Sequence, residues 1–313
     1  MRQHRGDLIC ALALLALAGC SRTSNEQPAP RKLIAAVSIP PQAWLVSQIG
    51  GEHVEVLTLV QPGDNHHTYQ PSDAQVSRVM QGSVYFRIGL PFESGPWFEA
   101  IRSSGKIPIV DARQGIELLQ MAPHVHEEDS HGHDHPEEHA HDHAGGDPHI
   151  WLSPRLLKIQ AGTIARTLAE IDPVHQSDYD RNLLAVNRRL DEVDAKVRAL
   201  VEPLAGKAFF VFHPAWGYFA AEYGLEQVAI EIDGKQPSDA ELTELQKQAR
   251  QARIRVVFVQ PQITGQAAQA VAEAVGGRVQ KLDPLAENVA DNLLEAAEAI
   301  AGSYRDKPSE NHG

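Results

Sequence analysis

Cysteine, positive charge and long apolar runs are all scarce in this sequence of 313 residues. Its two cysteines, Cys10 and Cys20, lie near the start, which leaves no pair for a disulfide in the body of the chain. The chain has 28 Lys and Arg residues and 41 Asp and Glu residues, so its net charge is −13 with His counted as neutral. This negative charge argues against a nucleic-acid partner. Beyond the first twenty residues no apolar run approaches the roughly 18 residues of a membrane span. Hydrophobic residues nevertheless make up 42% of the chain, enough for a packed core.

The first twenty residues have the pattern of an export signal. Two arginines precede a short apolar run, and the run ends in the letters LAGC, which resemble the lipobox of bacterial lipoproteins. We therefore expect residues 1–19 to be a signal peptide and Cys20 to carry the lipid. The polar residues 20–31 would then form a tether between the lipid and the folded domain.

From residue 32 onward, strand-like apolar runs alternate with amphipathic helical patterns, which predicts an α/β fold with mostly parallel sheets. One predicted helix is unusually long. Its apolar stripe, at spacings of three and four residues, consists of Leu183, Val186, Leu190, Val193, Val197 and Leu200. Such a helix can join two lobes, so we divide the chain into an N-terminal lobe at 32–171, a linking helix at 172–204, a C-terminal lobe at 205–303 and a tail at 304–313.

A low-complexity segment at 124–146 interrupts the N-terminal lobe. Its first twenty residues contain eight histidines and seven acidic residues, and only two apolar ones. This composition cannot bury enough surface to offset the entropy of ordering, which predicts a disordered loop. The closely spaced imidazoles predict weak secondary metal sites at His124, His126, His131, His133, His135, His139, His141 and His143.

Four isolated residues lie at predicted strand ends or in loops beside them: His67, His149, His213 and Asp283. In open α/β sheets, ligands bind beyond the carboxyl ends of the strands, so we expect His213 and Asp283 to face one crevice. Three imidazoles and one carboxylate can form a four-coordinate site for a divalent cation such as zinc. Two points stay open: Asp283 could instead cap the last helix, and His66, beside His67, is an alternative ligand.

Five segments resemble the metal-binding receptors of zinc and manganese ABC importers, a cluster of substrate-binding proteins with a rigid linking helix: PGDNHHTYQPSD, DPHIWLSP, FFVFHPAWGYFAAEYGL, FVQPQ and KLDPLAENVADNL. The resemblance covers most of residues 33–303. It implies two α/β lobes with the metal held between them.

The resemblance also implies a role for individual residues. His67, His149 and His213 match the three histidine positions of the family, and Asp283 matches its acidic residue, the least secure of the four ligands. Histidine at position 213 is typical of zinc-type members, whereas manganese-type members often have glutamate there. The His-rich insertion is another zinc-type feature.

The expected protein is therefore a monomeric extracytoplasmic receptor that delivers Zn²⁺ to an ABC permease. It is expected to lie in the periplasm or at the cell surface, attached to a bacterial membrane by its lipid alone. It is expected not to be an enzyme. The alternatives are a manganese- or iron-type receptor of the same family, a surface adhesin with a structural metal, and a secreted zinc-dependent hydrolase. No His-Glu-x-x-His or Gly-x-Ser-x-Gly motif supports the hydrolase, and nothing singles out Glu93 or Glu231 as its base. From the ordinary histidine pKa of about 6.5, zinc binding is expected to weaken toward pH 5.5.

Overall fold

The computed structural model describes residues 32–120, 146–231, 235–262 and 266–305. The predicted signal peptide, the predicted lipidation site Cys20 and the eight histidines of the predicted loop lie outside these residues. All described residues belong to one compact unit, which begins at Lys32. None of the helices in these ranges combines the length and the apolar character that a membrane crossing requires.

The N-terminal lobe is built on a four-stranded parallel sheet in the order β2-β1-β3-β4. Its strands are β1 (Leu33–Val37), β2 (Val54–Thr58), β3 (Val84–Arg87) and β4 (Ile109–Asp111). The helices that precede the linking helix are α1 (Pro40–Gly50), α2 (Asp73–Val79), α3 (Pro96–Ser104) and α4 (Pro154–Ile171). The sequence pattern does not predict α3, whose only buried residues are Phe98 and Ile101.

The linking helix α5 (Gln176–Val201) has 26 residues, which corresponds to a length of about 39 Å. It packs against α1, α4 and α9 (Val289–Ser303), and its buried stripe includes four of the residues predicted for it. The helix begins four residues after the start of the predicted range 172–204, because Pro173–His175 form a separate 3₁₀ turn. The carboxylate of Asp172 accepts from Tyr179 and pairs with His175 rather than capping backbone N–H groups.

The C-terminal lobe repeats the parallel arrangement, with the strand order β6-β5-β7-β8. Its strands are β5 (Ala208–Val211), β6 (Glu226–Ala229), β7 (Val256–Val259) and β8 (Arg278–Lys281). Its other helices are α6 (Gly217–Tyr223), α7 (Asp239–Gln251) and α8 (Gln266–Ala274). A capping box begins α7, with Ser238 accepting from the backbone of Glu241. The predicted α/β fold with two parallel sheets and a long linking helix is confirmed.

One hydrophobic core joins the two lobes. It contains residues of the N-terminal sheet, the stripe of α5 and the inward face of the second sheet, including Phe209 and Val211. Because side chains alternate along a strand, Phe210 and Phe212 pack on the opposite face in a separate core with α7 and α8. The continuous core fixes the carboxyl ends of both sheets relative to one another.

Candidate metal centre

Four imidazoles meet between the carboxyl ends of the two sheets. They belong to His66, His67, His149 and His213, and one ring nitrogen from each lies within 4.8 Å of the other three. The Nε2 atom of His149 lies 3.3 Å from the Nε2 atoms of both His66 and His213. The Nε2 atoms of His67 and His213 are 2.9 Å apart. His66, His149 and His213 are buried, and His67 is partly exposed.

Two side-chain turns hold the loop that carries His66 and His67. After β2, the chain still pairs with β1, since Leu59 and Val60 donate to Val37 and Ser38. The carboxylate of Asp64 then accepts from the backbone of Gln61 at 2.9 Å, and the amide oxygen of Asn65 accepts from the backbone of His67 at 2.9 Å. Such turns are typical of Asp and Asn in loops. They direct both neighbouring imidazoles into the centre.

Asp147 orients His149 at the start of the next segment. One carboxylate oxygen of Asp147 accepts from both the backbone N–H of His149, at 2.9 Å, and its ring Nδ1, at 2.7 Å. A 3₁₀ turn follows, and Ser153 then caps α4 by accepting from Leu156 at 3.1 Å. His149 is thereby fixed against a rigid helix.

His213 directly follows the extended chain of β5, where Phe212 donates to Phe258 of β7. Its Nδ1 lies 2.5 Å from the Oε1 of Glu231. Glu231 follows β6, the neighbour of β5, and its backbone N–H donates to Phe212. The adjacent strand ends therefore place the carboxylate directly against the imidazole.

Burial favours the neutral form of three imidazoles in the centre, those of His66, His67 and His213. Loss of solvent lowers the pKa of His66, and the neighbouring imidazoles lower it further. The same two causes lower the pKa of His67 to about 2. Burial also lowers the pKa of His213, although the adjacent Glu231 carboxylate opposes the shift. Neutral imidazole is the form that binds metal.

The hydrogen bonds to Asp147 and Glu231 determine which ring nitrogens carry protons. A carboxylate only accepts hydrogen bonds, so the Nδ1 atoms of His149 and His213 carry the protons. In the neutral form, which is the form that binds metal, the Nε2 atoms of both rings then present lone pairs at a separation of 3.3 Å, where neither can donate to the other. A cation bound between the two Nε2 atoms would accept both lone pairs.

The structure does not bring Asp283 into the group of four. Its Oδ1 accepts from the backbone of Leu285 at 2.9 Å and from the side chain of Gln262 at 3.3 Å, which closes a local turn. Asp283 does not cap the last helix either, because Asn288 is the N-cap of α9. Asp283 follows β8, which is two strands away from β5, and neighbouring strands lie about 4.8 Å apart. His66, the alternative in the sequence, lies in the group instead.

Sequence reasoning assigned no role to Asp147 and did not connect Glu231 with His213. The signal for Asp147 is its place two residues before His149, where a side chain can reach the backbone and ring of that histidine. Glu231 carries no local signal, because its contact depends on the order of the strands. Glu93, the other acid considered as a base, is buried outside the group and accepts from Ser38 and from the backbone of Ile88.

Comparison with known proteins gives one consistent family. The model of the family described as ZnuA, zinc-uptake complex component A, periplasmic, matches residues 36–305. The high-affinity zinc uptake system protein ZnuA of Bacillus subtilis (strain 168) is 27% identical over 290 residues, covering 91% of this chain and 89% of that protein. A crystal structure of ZnuA is 36% identical with a TM-score of 0.77, over 87% of this chain and 99% of that one. A ZnuA deletion mutant with zinc bound is 35% identical, also with a TM-score of 0.77, over 89% of this chain and 100% of that one.

Proposed function

We propose that this chain, which belongs to the ZnuA family of periplasmic zinc-uptake components, captures Zn²⁺ outside the cytoplasm and delivers it to an ABC permease. Its zinc-bound and zinc-uptake relatives support zinc as the cargo. The permease is the partner that uptake across a membrane requires. We also propose that the chain acts as a monomer; a single copy supplies all four imidazoles, so the centre needs no second copy.

The proposed ligands are His66, His67, His149 and His213. The observation that carries this proposal is the spacing of their nitrogens. Zinc binds imidazole at about 2.0–2.1 Å, so the nitrogens of a tetrahedral site lie about 3.3 Å apart. Among the six separations of the four ligand atoms, His149 Nε2 lies 3.3 Å from both His66 Nε2 and His213 Nε2, and His67 Nε2 lies 2.9 Å from His213 Nε2. All six are within 4.8 Å, so a zinc ion fits this group after adjustment of the side chains.

The chemistry of the donors favours zinc over manganese. Imidazole suits zinc, copper and nickel, whereas manganese prefers carboxylate, carbonyl and water oxygens. All four proposed ligands are nitrogens, and Asp147 and Glu231 contact the outer nitrogens of two rings rather than the centre. This arrangement of carboxylate, histidine and metal orients the ligands and raises their basicity. The manganese-type alternative has less support as a result.

The same ligand set argues against a hydrolase. A catalytic zinc has three protein ligands and keeps a fourth position for water, while a site with four protein ligands is closed. His66 fills the position that a catalytic water would need. Capture and release of the ion therefore explain the centre better than catalysis.

The attachment and the organisation of the chain follow from its sequence. We propose removal of 1–19, lipidation of Cys20, and a tether at 20–31 as the only link to the membrane. The receptor then consists of the N-terminal lobe at 32–171, the linking helix at 172–204 and the C-terminal lobe at 205–303. The His-rich segment adds weak zinc sites, and three roles fit it: a collector, a sensor of excess zinc, or a docking site for a zinc carrier.

Metal analysis and competition titration test the proposal. The purified protein should bind one zinc tightly, and manganese should not displace it at comparable concentration. His67→Ala should weaken this site, because it removes one of four ligands. Asp283→Ala is the matched control, since Asp283 lies outside the group, and its zinc affinity should stay near that of the wild type. Displacement of zinc by equal manganese would overturn the cargo assignment, and a large loss in the Asp283 variant would overturn the ligand set.

A further inference from the structure

We propose that Tyr218 is a positioning residue for zinc capture, because its hydroxyl joins Leu119 to Asp147 and thereby holds the carboxylate that orients His149. The inference rests on the proposed function, since it concerns one of the proposed zinc ligands. Tyr218 lies on α6 of the C-terminal lobe, whereas Leu119, Asp147 and His149 precede α4.

The hydroxyl of Tyr218 makes two hydrogen bonds, one as a donor and one as an acceptor. Its O–H donates to the backbone oxygen of Asp147 at 2.7 Å, and its oxygen accepts from the backbone N–H of Leu119 at 3.0 Å. A third bond closes the unit, since the N–H of Asp147 donates to the oxygen of Leu119 at 2.8 Å. Tyr218 is 4% exposed, and burial raises its pKa to about 12, so the hydroxyl keeps its proton near neutral pH.

Asp147 transmits this position directly to the zinc ligand. The backbone of Asp147 is held by Tyr218, while its carboxylate holds both the backbone and the ring of His149. The fit is close, because a Cβ atom at Gly217 would lie 2.9 Å from the Oδ2 of Asp147. Because Gly217 has no side chain, it leaves room for the carboxylate of Asp147.

Tyr218 also ties the two lobes together at the ligands. The helix α6 begins four residues after His213, and the backbone of Trp216 between them is anchored to Gln227 at 2.6 Å. The hydroxyl therefore connects the segment that carries His213 to the segment that carries His149. This connection sets the 3.3 Å separation of their Nε2 atoms, on which a tetrahedral site depends.

Removal of the hydroxyl leaves the partly buried N–H of Leu119 and the buried C=O of Asp147 without this partner. The segment then gains freedom to rotate His149 away from the centre. Loss of a residue that orients a metal ligand typically weakens metal binding about 10- to 100-fold. We expect Tyr218→Phe to fall in this range.

The chain offers a matched control in Tyr223. It lies on the same helix, is 6% exposed, and its hydroxyl donates to Asp194 of α5 at 2.9 Å, away from the four imidazoles. Tyr223→Phe removes a comparable buried hydrogen bond without touching the ligands. Both variants should lose similar stability in the zinc-free state, whereas only Tyr218→Phe should lose zinc affinity.

The experiment measures zinc affinity by chelator competition and zinc-free stability by denaturant unfolding, for the wild type, Tyr218→Phe, Tyr223→Phe and Asp147→Ala. On the Asp147→Ala background, Tyr218→Phe should change zinc affinity by less than about twofold, because the path to His149 is already removed. Gly217→Ala crowds the same carboxylate while retaining the hydroxyl, so its zinc affinity tests the Asp147–His149 part of the path separately from Tyr218.

The results distinguish failure of the proposed zinc-binding function from failure of the proposed role of Tyr218. A wild type without a tight zinc site would overturn the proposed function itself. A wild type with that site, together with equal zinc affinity in Tyr218→Phe and Tyr223→Phe, would overturn the role of Tyr218 alone. Equal and additive losses on both backgrounds would also overturn it, since Tyr218 would then act independently of Asp147.

Discussion

Acidification of the zinc-free protein should destabilise it strongly through the imidazole centre. Burial, together with neighbouring imidazoles, lowers the pKa values of His66 and His67, and burial lowers that of His213. The unfolded chain has ordinary histidines with a pKa of about 6.5. Below this pH the unfolded state binds protons that the folded state does not, so stability falls as the pH falls.

The magnitude follows from the linkage relation. Between pH 7.5 and 5.5, protonation lowers the free energy of the unfolded state by about 1.4 kcal/mol for each imidazole that stays neutral in the folded state. His66 and His67, whose pKa values fall well below the ordinary value, together give about 3 kcal/mol, and His213 adds to the loss in the same direction. A domain is typically stable by about 5–15 kcal/mol, so this loss is large enough to measure easily.

Denaturant unfolding of the zinc-free protein at pH 7.5 and 5.5 measures this loss. His67→Gln provides the comparison, because glutamine does not titrate. The variant should lose about 1.4 kcal/mol less than the wild type over this interval. Equal losses in the two proteins would refute the argument, since His67 would then take up protons equally in the folded and unfolded states.

The same pKa shifts revise the pH dependence of zinc binding expected from the sequence. With ordinary pKa values, protons would compete with zinc as the pH falls toward 5.5. In the folded protein, burial delays protonation of His67 until a pH of about 2, and His66 and His213 are shifted in the same direction. Zinc affinity should therefore decline less between pH 7.5 and 5.5 than ordinary histidines would predict.

Three further predictions concern the cargo, the His-rich segment and the anchor. His213→Glu adds an oxygen ligand and loses the contact with Glu231, so competition titration should show a narrower gap between zinc and manganese affinity; an unchanged gap would contradict the donor argument. Deletion of 124–143 should lower zinc stoichiometry to one while the tight site remains, and loss of that site would mean that a residue of the segment is a primary ligand. Cys20→Ser should release a folded protein from the membrane fraction, and retention in that fraction would show another attachment.

The sequence predicts the elements of this fold well because their signals are local. The stripe along α5, the capping box of α7 and the apolar strands each depend on residues close together in the chain. The start of α5 is less predictable, because Asp172 can either cap a helix or bind other side chains. In the structure, Tyr179 and His175 engage its carboxylate, and the first turn becomes 3₁₀.

The composition of the candidate site depends on strand order, which the sequence does not show. His213 and Asp283 both follow strands of one sheet, so both were expected at the centre. Because β7 separates β5 from β8, Asp283 lies outside the group, while Glu231 on the neighbouring β6 contacts His213. The inward direction of both His66 and His67 depends on the turns at Asp64 and Asn65, which no apolar pattern reveals.

A crystal structure of the protein loaded with one zinc, with the ion located by its anomalous signal, would show the ligands of the metal directly. We expect zinc bound by the Nε2 atoms of His66, His67, His149 and His213 at about 2.0–2.1 Å, in a tetrahedral arrangement with no water ligand. A zinc ion bound by Asp283 or by water in place of His66 would contradict the closed four-imidazole centre.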